Sequence, residues 1–222
     1  MAAIRLVIAD DHTLFRNGLR AVLERHADIV VVGEAEDAAS AVRLTREAQP
    51  DVILLDLRLP DRSGVEAVGE ILAERPAVKI IALTMYDDEE TIAAALQAGV
   101  QGYLLKRQRA DELIQAVQAV AAGGAVLNPA VAARVWGQYR RLADGQVDTA
   151  GPSFSEQEHA ALRLLAAGQN NRQIAENLHL SRPATEDLLA NVYRKLGVHT
   201  RPQAVAAAFG RGLIGQDNRP TS

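Results

Sequence analysis

The sequence predicts an α/β domain followed by a small all-α domain, and three observations carry that prediction. Short apolar runs alternate with amphipathic stretches five times between residues 4 and 122, the pattern degrades around 123–153, and beyond it the periodicity is purely helical. The apolar runs fall near 4–9, 29–33, 51–55, 78–83 and 102–105 and are rich in Val, Ile and Leu. Runs this short, separated by helical stretches, imply parallel strands covered by helices on both faces, with right-handed crossovers. The expected result is a five-stranded doubly wound parallel sheet.

The helices of the first part follow from spacing. Leu14, Leu19, Val22 and Leu23 line one face after the first run, and Ile92, Ala95, Leu96 and Gly99 do so before the fifth. Gly123 and Gly124 end the last of them. Pro129 opens a short helix through Val135 and Tyr139, and ADGQVDTAGPS is small, polar and turn-prone, so residues 124–153 read as a linker with one helix. Ser155 and Glu158 have capping-box spacing, and their helix carries Leu162, Leu164 and Leu165 before Gly168 stops it. A second helix spans 171–178 with Ile174 and Leu178 inward, Ser181 caps a third near 182–195, and a fourth runs over 201–213. Pro183 sits in the first turn of the third helix, where it costs no hydrogen bond. The short HLS turn between the second and third helices has helix-turn-helix geometry. The expected organisation is a domain over 1–123, a linker over 124–153, a four-helix domain over 154–216 and a disordered tail over 217–222.

Composition bounds the rest. With 222 residues, 48% of them hydrophobic and 23% charged, the chain suits two modest globular domains. It has no Cys, which excludes disulfides, thiolate zinc sites and cysteine catalysis. No basic-then-apolar leader precedes IRLVIA, and no apolar run approaches the roughly 20 residues that span a bilayer, so the expected location is cytoplasmic, with no membrane partner. Residues 1–123 carry 13 basic and 20 acidic side chains, a balance of −7, whereas residues 154–215 carry 7 and 5, a balance of +2. A weakly basic second part permits nucleic acid without arguing for it.

Five residues stand at or just past the ends of the apolar runs: Asp10 and Asp11 after IRLVIA, Asp56 after DVILL, Thr84 after VKIIAL and Lys106 after GYLL. The C-terminal ends of parallel strands share one rim, where open α/β sheets place their ligands. Three carboxylates, a hydroxyl and an ammonium converging there can hold a divalent metal, present a nucleophilic carboxylate and neutralise a phosphoryl group. Plainer readings exist for single members: Asp11 as a helix N-cap, Lys106 as a solvated lysine, Tyr103 as an amphipathic edge-strand aromatic. Asp56 is harder to dismiss, since a carboxylate ending an apolar run needs a partner.

The signature IADDH, DVILLDLRLPDRSGVEA, IIALTMYDDEE and AGVQGYLLK resembles the receiver domain of two-component response regulators, which has a flavodoxin-like fold. FSEQEHAALRLLAAGQNNRQIAENLHLS with NVYRKLGVHTRPQAV resembles the LuxR-type output domain of the NarL/FixJ class. The resemblance implies that Asp56 accepts a phosphoryl group from a phosphohistidine on a sensor histidine kinase. It implies Mg²⁺ or Mn²⁺ on Asp10, Asp11, Asp56 and the Arg58 backbone carbonyl, and phosphoryl contacts from Lys106 and Thr84. Thr84 and Tyr103 would transmit the state. It further implies a homodimer on phosphorylation, placing two third helices on an inverted repeat of double-stranded DNA, and slow self-dephosphorylation as the sole enzymatic activity.

The third helix departs from the family's pattern. Members usually read T-V-K and then His through it, with further basic residues a turn later; this chain has Ala184, Thr185, Glu186, Asp187, Leu188 and Ala190. Carboxylates near phosphates repel and forfeit counterion release. A carboxylate also accepts from cytosine N4, and acidic residues complement a helix N-terminus. The residues expected at the DNA face are Arg172, Arg182, Thr185, Glu186, Asp187, Arg194, Lys195, His199 and Arg201. The competing expectation is a receiver-driven interaction module whose output domain has lost DNA. A haloacid dehalogenase phosphatase also uses Asp, a hydroxyl and Lys, but it carries D-x-D-x after its first strand, a spacing IADDH lacks.

Overall fold

A computed structural model describes residues 3–85, 89–127, 131 and 153–214. The expected linker helix from Pro129 to Tyr139, most of the 124–153 linker and the 217–222 tail lie outside the described residues. The chain forms two compact units, Met1–Ala121 and Ala122–Ser222.

In the first unit, strands β1 (Ile4–Ala9), β2 (Ile29–Ala35), β3 (Val52–Asp56), β4 (Lys79–Thr84) and β5 (Gly102–Leu105) alternate with helices α1 (Thr13–Leu23), α2 (Ala38–Ala48), α3 (Gly64–Glu74), α4 (Glu89–Ala98) and α5 (Ala110–Ala121). The pairs β1/β2, β1/β3, β3/β4 and β4/β5 are parallel. Strands β3 and β5 are buried throughout, as a sheet sandwiched between two helical layers requires. One expectation is corrected: the sheet has six strands, in the order β2-β1-β3-β4-β5-β6, the sixth being Val126–Leu127. A two-residue strand is too short to show any periodicity in the sequence. The order reverses between β1 and β3, the switch point at which such sheets bind ligands.

Helix ends are set by local chemistry. Asp37 and Ser40 close a capping box on α2, and Gly99 at φ 107 ends α4 in a conformation that favours glycine. Gly64 is demanded by packing: a Cβ there would fall 2.3 Å from the Asp56 carbonyl oxygen and 2.6 Å from Leu57 Cα. Backbone of α3 thus seats directly on the end of β3.

The second unit contains α6 (Glu156–Ala166), α7 (Asn171–Leu178), α8 (Arg182–Leu196) and α9 (Arg201–Gly210). Three of the four open with a reciprocal capping box: Ser155 with Glu158, Asn170 with Gln173, and Thr200 with Gln203. Ser181 caps α8 through Ala184 N, with Pro183 in its first turn, and Gly197 at φ 71 ends it. Leu162, Leu165, Ile174, Leu189, Val192, Leu196 and Ala204 form the core. The turn between α7 and α8 is made by His179, at φ 52, Leu180 and Ser181.

Candidate functional site

Strand register builds the acidic rim. Ala9 pairs with Leu55, Asp56 with Leu83, and Thr84 with Leu105, so Asp10, Asp56, Thr84 and Lys106 end successive neighbouring strands in step. Asp10 is 1% exposed, and Asp56 and Thr84 are also buried. The Lys106 side chain, 5% exposed, places Nζ 2.6 Å from Asp10 Oδ2 and 2.5 Å from Asp56 Oδ2. Its ammonium also lies 4.8 Å from the centre of the Phe15 ring. Lys106 is therefore no solvated lysine. Thr84 is tied to the same rim through its carbonyl, which accepts from Lys106 N at 2.8 Å.

The remaining oxygens are held by backbone. His12 N donates to Asp10 Oδ1 at 2.9 Å, and Arg58 N donates to Asp56 Oδ1 at 2.9 Å. Asp11 does not cap α1: the cap position is His12, whose side chain makes no capping bond, and Asp11 Oδ1 instead lies 2.6 Å from His12 Nδ1. Burial pushes the Asp56 carboxyl above the ordinary carboxylate range, with the Lys106 and Arg58 hydrogen bonds pulling the other way. Burial opposes the charge on Lys106, but its close pairing with the Asp10 and Asp56 carboxylates outweighs it and raises its pKa. Tyr103, expected as a switch residue, is fully buried on β5 opposite Ala82.

Carboxylate or imidazole ligand atoms of Asp10, Asp11, His12 and Asp56 all lie within 4.8 Å of one another. Asp10 Oδ2, though close to the ammonium, is buried without an aligned hydrogen-bond donor. A hard, oxygen-seeking divalent cation suits that donor set, and Mg²⁺ with retained waters fits it without an all-protein cage.

Sequence reasoning missed three contributors: His12, Phe15 and Arg16. Arg16 Nη1 donates to the Asp10 carbonyl at 2.5 Å. The signal was present in their placement on the first turn after the acidic pair, which returns side chains to the rim. Also unforeseen was Asp61, whose two oxygens accept from Ala38 N and Ala39 N and tie the loop after Asp56 to the start of α2.

The second unit places its expected contacts less uniformly. Glu186, Asp187, Asn191 and Arg194 lie on the exposed face of α8. Arg182 Nε pairs with Glu186 Oε1 at 3.0 Å, Arg172 Nε with Glu176 Oε1 at 2.9 Å, and Arg194 with Asn191. His199 is exposed. Thr185 is corrected as a contact residue: it is 0% exposed and its hydroxyl bonds back to the Ser181 carbonyl, because it faces the core side of the helix. Lys195 is committed to Glu158 Oε2 at 2.7 Å and the Ser153 carbonyl at 3.0 Å. Arg201 donates to the Gln169 carbonyl at 2.6 Å and to Asn171 Oδ1 at 2.5 Å, and burial lowers its pKa.

Comparison with known proteins decides the family. Residues 6–118 match the response regulator receiver domain, and residues 152–208 match bacterial regulatory proteins of the luxR family. The chain is 36% identical over 224 residues to transcriptional regulatory protein DegU of Brevibacillus brevis, covering 95% of each. This chain is a LuxR-type response regulator. It is also 34% identical to the DNA-binding transcriptional activator DevR/DosR of Mycobacterium tuberculosis, over 92% of this chain and 94% of that protein. Among solved structures, the complex of the response regulator RcsB with DNA is similar, with a TM-score of 0.57 and 25% identity over 94% of this response regulator and 98% of RcsB. No helix among its described residues is long and apolar enough to cross a membrane.

Proposed function

We propose that this response regulator is a cytoplasmic phospho-acceptor, phosphorylated on Asp56 by a sensor histidine kinase, that controls transcription by binding DNA through its second domain. The observation that carries this reading is the buried Asp10–Lys106–Asp56 arrangement at the switch point of the sheet. An Asp56 oxygen attacks phosphorus, the P–N bond to the kinase histidine breaks, and the imidazole leaves with the electron pair and takes a proton. Lys106 and Thr84 would then contact phosphoryl oxygens, countering the charge that builds on them. Asp10, Asp11, Asp56 and the Arg58 carbonyl would hold Mg²⁺ or Mn²⁺, which supplies charge neutralisation when bound. Water later hydrolyses the acyl phosphate slowly, and this is the only turnover the site supports. Residues 1–123 act as the receiver, 124–153 as a linker and 154–216 as the output domain.

Phosphorylation would be transmitted through Thr84 and Tyr103 and would favour a homodimer that sets two α8 helices on an inverted repeat. The relationship to a DNA-binding activator supports this output. The pairs Arg172–Glu176 and Arg182–Glu186 are exposed and individually weak, so a phosphate can recruit either arginine at small cost. A second reading, an output domain used for protein contacts, is favoured by Glu186 and Asp187 on the exposed face of α8. The test is incubation with acetyl phosphate and Mg²⁺, followed by mapping of the modified residue and DNA binding. The proposal expects phosphate on Asp56 and tighter DNA binding. Modification elsewhere, or none, contradicts it.

A further inference from the structure

Arg16 takes no part in the reading above, yet it is a desolvated cation beside a site for cations. It lies near the start of α1 with its side chain 11% exposed, and Nη1 donates to the Asp10 carbonyl at 2.5 Å. Its Nε lies 3.4 Å from Glu34 Oε2 on β2 without the alignment of a hydrogen bond. Glu34 is meanwhile engaged by Arg20 Nη1 at 2.6 Å, and Arg20 Nε by Glu24 at 3.0 Å. The surface members of this network are ordinary. A buried guanidinium held on a backbone carbonyl is not, because desolvating it is costly unless the contact is needed.

Asp10 is held through both of its flanking peptides, and Arg16 supplies the hold on the second, the Asp10–Asp11 peptide. Asp10 N donates to the Ala35 carbonyl on β2 at 3.0 Å, and the Asp10 carbonyl accepts from Arg16. Rotation of the Asp10–Asp11 peptide plane is thereby opposed. That plane sets the direction in which the Asp11 carboxylate leaves the chain, while Asp10 Oδ1 is fixed by His12 N. We propose that Arg16 is a positioning residue for the divalent-cation site, holding the Asp10 carbonyl so that the Asp10 and Asp11 carboxylates converge on one point. The inference rests on the reading of this rim as a magnesium site and adds a role for a residue that never meets the ion. Groups that orient metal ligands are commonly worth 10- to 100-fold in affinity.

Its sign separates it from simple electrostatics. Removing a positive charge beside an acidic cluster strengthens cation binding if charge alone matters. Removing a positioning contact weakens it. The experiment measures Mn²⁺ binding to the full, unphosphorylated chain by the electron paramagnetic resonance signal of the free ion, with no phosphodonor present and thermal melting recorded in parallel. Arg16→Met should weaken Mn²⁺ binding by about tenfold while melting cooperatively, and Arg16→Lys, which keeps a donor within reach, should stay within about threefold of wild type. Should Arg16→Met fail to fold, neutral Arg16→Gln takes its place with the same weakening expected. Unchanged or tighter binding in the neutral variant overturns the proposal. Asp11→Asn separates the two layers of the argument: wild type binding no better than Asp11→Asn overturns the magnesium reading itself, whereas wild type binding well but no better than Arg16→Met overturns only the role of Arg16.

Discussion

The acidic rim of the receiver and the exposed face of α8 are both charged clusters, built in opposite ways. At the rim, Asp10, Asp56 and Lys106 are buried together, and each makes its shortest charged contact with another member of the set. On α8 the charges are exposed and spaced one turn apart, as in Arg182 and Glu186. Burial makes the rim a place where charge must be answered by specific chemistry, so its composition constrains what it does. Exposure leaves α8 free to vary, since a solvated pair costs little to make or lose. The difference teaches that the input chemistry is fixed by the fold while the output preference is set by a handful of surface side chains.

The sharpest way to break the rim's side of this comparison is Asp56→Asn, which should abolish phosphorylation by acetyl phosphate as read by intact mass, with the fold retained. Lys106→Met comes next. It leaves two buried carboxylates without their cation and should cost about 3 kcal/mol in denaturant unfolding, part of which added Mg²⁺ restores. Gly64→Ala should cost about 2 kcal/mol by the same measurement, since its Cβ would meet the Asp56 carbonyl at 2.3 Å and backbone cannot step aside cheaply. The smallest effect belongs to the second domain: Glu158→Ala should cost about 1 kcal/mol by removing half of a capping box and the partner of Lys195. The Lys195 hydrogen bond depresses the Glu158 pKa, so this contribution is full above the ordinary glutamate value and is lost as pH falls through the depressed folded-state value. A difference between Glu158→Ala and wild type that persisted below that window would contradict the assignment.

Much of this was legible in the sequence because parallel strands place their ends on one rim. Asp10, Asp56, Thr84 and Lys106 could be gathered from the ends of four apolar runs without knowing any distance, and the caps Ser155 and Ser181 were visible as residue types at fixed spacing. Val126–Leu127 was not, since two residues carry no period. Arg16 and Asp61 were missed for a different reason: both act on backbone groups of other segments, Arg16 on the Asp10 carbonyl and Asp61 on the amides of Ala38 and Ala39. A backbone partner leaves no complementary residue type to look for. Thr185 falls on the core side of α8 rather than its exposed face because a polar residue on a helix reads as exposed until the packing of its neighbours is known.

The central claim, that phosphorylation at the rim governs DNA binding by α8, is tested most directly by selecting binders from a random duplex library with and without acetyl phosphate and Mg²⁺, using wild type, Asp56→Asn and Glu186→Lys/Asp187→Asn. The account predicts an enriched inverted repeat for phosphorylated wild type and none for Asp56→Asn. No enrichment for phosphorylated wild type, with DNA affinity appearing only in the Glu186→Lys/Asp187→Asn protein, would contradict it and establish an output domain that has given up DNA.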